Sequence, residues 1–541
     1  MKSRMAVPGD MLLLTMAAVG VYVLPVGAGE VYTSVAKLKL LPHIEKKLID
    51  ACDRYITSRP DDPGLSSIKR FLSSTRQQNQ LACDDPAYLE NPVNGFRFLW
   101  RLVDGWQRAT RVRCVGDCDI RDASISFLKQ IRSSIDSVSS WPSHEDVTGS
   151  AVALTKLLRT YDLDPDDVAK GRLLHTQTTP LDPDELFVLG EEVHHHHTAQ
   201  DARMWLNISI TRLEEMRDQE RLLRDAHHRL REIEEKIEAK GSNGQVVSEA
   251  PDVLFTVGYE ELDDEDGEDD GHLPVLPSNR TARPIRGFYQ SAYEDLCRQD
   301  RKSPGEVSDL VCWYQHTFIP YMKVKVEQLH LDPAILMYHD VISDSEIAAV
   351  KNISMRLLTR SLLGKPDGSG HEGMNERISQ SAWVFDDLEV TSRLSRRIQL
   401  FTGLSTKLQR VYSHAEAFQV VNYGLGGLYE PHEDSVRMYR KLGYEKSPSV
   451  RHSGDRLATW LFYMSDVPAG GATVFPLINT RVPVTKGAAA FWYNLHRNGK
   501  PDLRTIHAGC PVLIGDKWIA NKWIREVGQT FRRPCSLDPD E

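Results

Sequence analysis

After residue 26 the sequence has no apolar run of about 20 residues, the length a membrane-spanning helix requires. A surplus of positive charge is also lacking: 66 Lys and Arg stand against 76 Asp and Glu, a net charge of −10. Nine acidic residues between Glu260 and Asp270 account for nine of those ten negatives. The rest of the chain is near neutral and carries no electrostatic footprint for nucleic acid. The acidic run reads as solvated linker, because it forms no 12-residue loop with a central Gly and a closing Glu, as a calcium site would. Cysteine is scarce, eight in 541 residues. Cys114 and Cys118 make half of a zinc pattern, but no second pair with ligand spacing follows. The final SLDPDE lacks a K-D-E-L-like retrieval signal, so residence in the lumen of the endoplasmic reticulum would depend on a partner that carries one.

What is present gives the address. Lys2 and Arg4, an apolar stretch from Met11 to Val26, and small residues at Ala28 and Gly29 predict a secretory signal peptide over 1–28. Entry into an oxidising compartment makes the cysteines disulfide candidates, with connectivity open on spacing alone. Sequons at Asn207, Asn279 and Asn352 fit glycosylation there.

With 41% hydrophobic residues, a chain of this length can bury several cores. Leu41, Leu48 and Tyr55 recur every seven residues with Ile44 and Ala51 in the second seam position, which predicts a helix packed on a partner helix. A second heptad series runs through Met216, Leu223, Leu230 and Ile237. No Gly, Pro or Asn interrupts 208–240, so one long helix ending near Gly241 is expected. His194, His195, His196 and His197 read as a solvated polar run, although His194 and His197 share a helical face. The expected division is 30–165 helical, 180–241 helical, 242–282 acidic linker, 283–333 connecting segment and 334–535 β-rich. Short strands at 417–423, 458–464, 472–475, 488–493, 509–514 and 517–524, punctuated by Gly and Pro, argue a closed β architecture.

The chemistry gathers on Phe418 to Asp434, FQVVNYGLGGLYEPHED. A strand rich in β-branched and aromatic residues is broken by Gly424, Gly426 and Gly427, and His432 and Asp434 follow. Residues two apart in extended chain point the same way, so both can face one ion. His507 is the best third ligand, since two His and one carboxylate on one face of an octahedral Fe(II) leave three positions open. Ten residues on, Lys517 is a cation in an apolar, strand-like setting, where a buried charge requires an anionic partner.

These residues, with the words NYGLGGLYEPHED, RLATWLFYMSDVPAGGATVFP, AAAFWYNL, HAGCPVLIGDKWIANKW and FRRPC, resemble the catalytic domain of the collagen prolyl 4-hydroxylase α-subunit family. ENPVNGFRFLWRL and TKLLRTYDLDPDDVAKG resemble its N-terminal dimerisation domain. The resemblance implies a multidomain protein: a coiled-coil dimerisation region, degenerate tetratricopeptide-like helices that hold proline-rich chains, and a jelly-roll double-stranded β-helix. It implies Fe(II) on His432, Asp434 and His507, with 2-oxoglutarate held by Lys517 and helped by Tyr423 and Thr473. Tyr429, Arg456 and Trp523 match positions that contact the target proline. Ascorbate would be the reductant that rescues oxidised iron. Protein disulfide isomerase would be the β subunit of an α2β2 assembly, procollagen-like X-Pro-Gly chains the substrate, and the pairings Cys297–Cys312 and Cys510–Cys535. Two features depart from the family. Residues 194–200 replace a tyrosine-rich turn, leaving only Trp205 and its neighbours recognisable, and Glu433 stands where an aromatic separates the ligands. Both favour a rival, a secretory-pathway hydroxylase with a non-collagen peptide substrate. A catalytically idle binding subunit is a second rival, against which the intact ligand set argues.

Overall fold

The computed structural model describes residues 31–111, 123–138, 141–196, 198–216, 219–241, 285–299, 308–317, 319–364, 370–371, 376–436 and 448–538. The expected signal peptide, the acidic linker, Asn279, His197, Cys114 and Cys118 lie outside them. Asn207 and Asn352 are solvent-exposed on helices. Among the described residues no helix is long and apolar enough to cross a membrane.

The N-terminal half is helical: α1 (Leu41–Ser58), α2 (Ser66–Asp84), α3 (Pro92–Trp100), α4 (Ala123–Asp136) and α5 (His144–Tyr161), then α6 (Pro183–His196), α7 (Ala199–Glu215) and α8 (Glu220–Gly241). The heptad seam of α1 finds its partner inside the chain. Leu41, Leu48 and Ala51 are buried and the helix packs on α2. Glu45, on the same helix, is fully buried and accepts hydrogen bonds from Arg101 (2.8 and 3.0 Å), Asn79 (2.8 Å) and the Trp106 indole (3.1 Å). A buried carboxylate saturated in this way ties α1, α2 and the chain after α3 into one unit.

The single long helix expected over 208–240 is corrected to two. α7 ends at Glu215 and α8 starts at Glu220, each packed on its predecessor. The physical reason is the one-sided seam. A helix running straight on would leave Leu223, Ala226, Leu230 and Ile233 facing water, whereas folding back packs Ala226 beside Ile210 and Leu213 and sets Ile233 in the core that holds Trp205. Periodicity continues across a sharp reversal, so a heptad cannot reveal it. Trp205 is itself fully buried and donates to Thr155 Oγ1 at 2.9 Å, so it is a core residue rather than the lining of a groove.

The C-terminal half is antiparallel β. Its strands are β1 (Cys312–His316), β2 (Lys323–His330), β3 (Ile335–His339), β4 (Thr359–Arg360), β5 (Ser379–Val384), β6 (Phe418–Tyr423), β7 (Tyr429–His432), β8 (Arg456–Tyr463), β9 (Thr473–Phe475), β10 (Thr480–Val482), β11 (Ala489–Tyr493), β12 (His507–Gly509), β13 (Val512–Ile514) and β14 (Trp518–Arg525). A nine-stranded sheet runs β1-β2-β3-β11-β8-β14-β6-β5-β4, and a four-stranded sheet runs β7-β12-β9-β10. Val421, Leu461, Tyr463 and Ile519 of the large sheet meet Phe475 and Val482 of the small one in a common core. Alternate residues of the large sheet, among them Val420, Trp460, Phe462, Trp518 and Ala520, pack with two helices, Asp344–Met355 and Glu389–Thr402. This is the jelly-roll arrangement, and period-two burial on both faces explains why its strands read as near-continuous apolar runs. The sheet begins upstream of residue 334, since β1 and β2 both join it.

The expected cysteine pairs are also corrected. Cys297 bonds to Cys510 with Cα atoms 5.6 Å apart, while Cys312 and Cys535 are free and exposed. Tertiary packing decides the partner. Tyr293, Leu296 and Cys297 lie on a helix, Ile285–Arg298, that buries them against Ala472, Val474, Ala508 and Cys510. Cys312 instead sits on β1 at the edge of the large sheet. Cys52 is buried and unpaired, its thiol pushed up to about 12 by burial, hence unreactive. Peptide mapping of the non-reduced protein is expected to recover Cys297 linked to Cys510, and the variants Cys312→Ser and Cys535→Ser to keep that link. Recovery of a Cys297–Cys312 peptide would contradict the packing.

Candidate functional site

Strand β6 lies between β5 and β14 in the interior of the large sheet, and every residue of it is buried. Its last residue, Tyr423, is followed by a turn closed by the Gly427 N–H donating to the Gly424 carbonyl at 2.9 Å. Gly426 has φ +58°, the left-handed region that favours glycine. The chain then enters β7, where His432 stands directly opposite His507 of β12. Asp434 lies just past the end of β7 and completes the cluster. One ligand atom from each of His432, Asp434 and His507 lies within 4.8 Å of the others, and this is the group of three metal-capable side chains that the described residues contain.

Each side chain is held for the same purpose. His432 Nδ1 lies 2.8 Å from the Glu430 carbonyl and His507 Nδ1 3.1 Å from the Thr505 carbonyl. A carbonyl only accepts, so each Nδ1 carries the proton and each Nε2 presents a lone pair. Burial, reinforced by His507, drives the His432 imidazolium far below its ordinary pKa, so the ring is neutral and ligand-competent. Burial opposes ionisation of Asp434, but the two imidazoles and Arg456 together hold its carboxyl below the ordinary value. Asp434 Oδ2 accepts from Thr459 Oγ1 at 2.6 Å, and Thr459 accepts in turn from Asn494 Nδ2 at 2.9 Å. Tyr429 stacks on His432 at 3.6 Å, and Trp492 and Phe475 flank His507 at 4.8 and 5.7 Å between centroids.

Lys517 is 1% exposed, and among the described residues no carboxylate pairs with it. Its ammonium lies 4.5 Å from the centre of the Tyr423 ring. Burial alone pushes its pKa down to about 7. Gly509 faces the same space, for a Cβ built there would lie 3.4 Å from Tyr423 Oη and 3.7 Å from Lys517 Nζ. Thr473 stands opposite Gly509 across the strands, and its hydroxyl accepts from Tyr463 Oη at 2.9 Å. A buried cation, three hydroxyls and a position without a side chain make a cradle for a small anion, and a carboxylate would supply the missing counter-charge.

Of the residues expected to face a peptide, Tyr429 is half-buried against His432, and Trp523 is buried beneath Arg456. Arg456 makes a two-point ion pair with Glu416 (2.7 and 3.0 Å) and stacks on Trp523 at 3.7 Å. Arg525 also reaches Glu416, at 2.7 Å. Arg377 lies over Tyr429 at 4.5 Å, and the half-exposed Trp383 approaches Trp523 at 6.0 Å. Thr459, Asn494, Tyr463, Glu416 and Arg377 were not among the sequence candidates. The one available signal was a polar residue alternating with apolar ones inside RLATWLFY, which marks Thr459 as facing a polar feature.

Lys517 gives a stability test. Its folded-state pKa of about 7 lies below the ordinary 10.5, so between those values the unfolded chain binds a proton that the fold does not. The penalty is present in full below pH 7 and fades as pH rises toward 10.5. Lys517→Met is expected to stabilise the ligand-free protein at pH 6 by about 1 kcal/mol or more, with a smaller gain at pH 9. Denaturant unfolding at the two pH values checks this, and a destabilised variant at pH 6 would contradict it.

Residues 34–175 match the family described as Prolyl 4-Hydroxylase alpha-subunit, N-terminal region, and residues 418–525 match the 2OG-Fe(II) oxygenase superfamily. The chain is 34% identical over 550 residues to prolyl 4-hydroxylase subunit alpha-1 of Mus musculus, covering 94% of this chain and 95% of that one. It is 32% identical over 529 residues to prolyl 4-hydroxylase subunit alpha-2 of Caenorhabditis elegans, covering 94% of each. Among solved structures, a viral collagen prolyl hydroxylase from Paramecium bursaria Chlorella virus-1 matches 35% of this chain and 95% of its own, at 24% identity and a TM-score of 0.26. The chain belongs to the prolyl 4-hydroxylase α-subunit family.

Proposed function

We propose that the chain is the catalytic α subunit of a procollagen-type prolyl 4-hydroxylase, which hydroxylates proline in X-Pro-Gly sequences using O2 and 2-oxoglutarate. The observation that carries this is the conjunction of the His432, Asp434, His507 cluster with Lys517, which is buried beside Gly509 on the strand of His507 and has no carboxylate partner among the described residues. His432 and His507 offer Nε2, and Asp434 offers the carboxylate aligned by Thr459. That donor set suits Fe(II), which when bound supplies oxidative decarboxylation of 2-oxoglutarate to succinate and CO2 and transfer of an oxygen atom to the substrate carbon. Lys517 receives the distal carboxylate of 2-oxoglutarate, with Tyr423 and Thr473 beside it. Binding that anion returns the lysine to its charged form and removes the desolvation penalty. Tyr429, Trp523 and the Glu416-braced Arg456 form the wall against which the target proline packs. Holding Arg456 in place before the peptide arrives lowers the ordering cost of binding.

By the same reading the chain works in the endoplasmic reticulum lumen with ascorbate as reductant. A β subunit, protein disulfide isomerase, completes an α2β2 assembly, and Asn207, Asn279 and Asn352 are the glycosylation positions. A second reading, a hydroxylase for another proline-rich peptide, is supported by the burial of Trp205 and by Glu433, which is half-buried between the two ligands.

Succinate formation in the assembled enzyme, measured with and without peptide, tests the proposal. X-Pro-Gly repeats should stimulate it, whereas stimulation by other proline peptides alone would favour the second reading, and absence of turnover an idle subunit. Asp434→Ala and His507→Ala are expected to abolish turnover while the fold persists, because each removes a metal bond no neighbour replaces. Turnover at the unsubstituted rate in either variant would overturn the metal assignment. Thr459→Val is expected to raise the Fe(II) requirement by about 10-fold or more, as losses of a hydrogen bond behind a metal ligand do. An unchanged Fe(II) titration would show that Asp434 holds its pose without Thr459.

A further inference from the structure

We propose that the N-terminal segment Val31–Lys39 positions Lys517 for 2-oxoglutarate, acting through Asn422 and Asp516; this rests on the reading of Lys517 above. The segment lies nearly five hundred residues before that lysine, yet it runs along the chain that carries it. Residues 31–38 are all buried. The Tyr32 N–H donates to Asp146 Oδ1 at 2.8 Å, and the Tyr32 carbonyl accepts from the Leu425 N–H at 2.9 Å. Where the segment crosses the end of β6 there is no room for a side chain. A Cβ on Gly424 would lie 2.1 Å from the Tyr32 carbonyl oxygen, nearer than backbone can yield.

Asn422 is the junction. It is fully buried and uses both ends of its amide. Its Oδ1 accepts from Ser34 Oγ at 2.6 Å and from the Ala36 N–H at 3.1 Å. Its Nδ2 donates to Asp516 Oδ1 at 2.7 Å and to the Lys517 carbonyl at 3.3 Å. The other carboxylate oxygen of Asp516 meets Lys39 Nζ at 3.1 Å, and that ammonium also pairs with Glu90 at 2.6 Å. The Gly515 N–H donates to the Glu90 carbonyl at 3.2 Å, and Gly515 has φ +130°, a conformation that favours glycine. Both residues preceding Lys517 are therefore fastened to the helical half of the molecule, and the lysine carbonyl to Asn422. A side chain reaching blindly into a buried cleft takes its aim from its backbone. Losing one of these bonds would tilt the turn 515–517 and move the ammonium from the distal carboxylate, leaving His432, Asp434 and His507 in place.

The test compares Ser34→Ala, Lys39→Met and Lys517→Ala in the full-length assembled enzyme, titrating 2-oxoglutarate and Fe(II) separately. The expected result is that Ser34→Ala and Lys39→Met each raise the KM for 2-oxoglutarate by about threefold to tenfold, with the Fe(II) requirement unchanged within about twofold. Lys517→Ala raises it further. A segment that serves stability alone would shift both titrations together, or neither while lowering Tm, and either pattern overturns the inference provided Lys517→Ala still raises the KM. An unchanged KM in Lys517→Ala would instead remove the reading of that lysine, and the inference with it.

Discussion

An ammonium group buried without a counter-charge is costly, and the organisation of the C-terminal half follows from tolerating one at Lys517. The lysine sits immediately before β14, among apolar strands, 4.5 Å from the Tyr423 ring. The nearby polar groups are hydroxyls rather than carboxylates, which leaves the cation to an incoming anion. Fully paired buried ions elsewhere in the chain show the alternative. Lys522, on the same strand, meets Asp386 at 2.8 and 2.9 Å, and Arg97 is bound by Glu185 at 2.7 and 2.9 Å. Among the described residues Lys517 differs from both by lacking a carboxylate partner, the kind of perturbed buried group that marks a candidate binding site.

The jelly roll makes this workable because each sheet contributes what its geometry fixes well. The small sheet sets His432 opposite His507 through strand register, and register is rigid where one face is buried. The large sheet contributes Thr459 and, through Asn494 at the end of β11, a two-step brace behind Asp434. The disulfide from Cys297 to Cys510 fastens a helix behind the strand that bears His507. The helical half is not a separate body beside this site. Leu425, Leu428 and Ile378 share a core with Leu38, Leu99 and Leu102, and Lys156 pairs with Glu430 at 2.8 Å on the strand of His432.

The parts legible in the sequence were those whose information is local. His432, Asp434, His507 and Lys517 stand in short words with strand periodicity, and the strands themselves alternate or run apolar over five to eight residues. Burial of the α1 seam followed from its heptad, although the partner proved to be α2 of the same chain. What was not legible depends on long-range packing. The Cys297–Cys510 bond spans 213 residues, and nothing in either neighbourhood names the other. The reversal between α7 and α8 leaves the apolar period intact, so only tertiary burial reveals it. VYTSVAKLK carries no motif at all. Its relation to Asn422 and Asp516 exists only once β6 and β14 are paired.

That Lys517 is the counter-charge for a distal carboxylate whose other end reaches the metal cluster is our proposal. It is tested most directly by anaerobic calorimetric titration of the Fe(II)-loaded protein with 2-oxoglutarate and with 2-oxobutyrate, which keeps the 2-oxo acid and lacks the distal carboxylate. 2-Oxoglutarate is expected to bind at least about 10-fold more tightly, since a buried charge-assisted contact contributes on the order of 2 kcal/mol or more, and the preference to disappear in Lys517→Met. Equal binding of the two acids by the unsubstituted protein would contradict it.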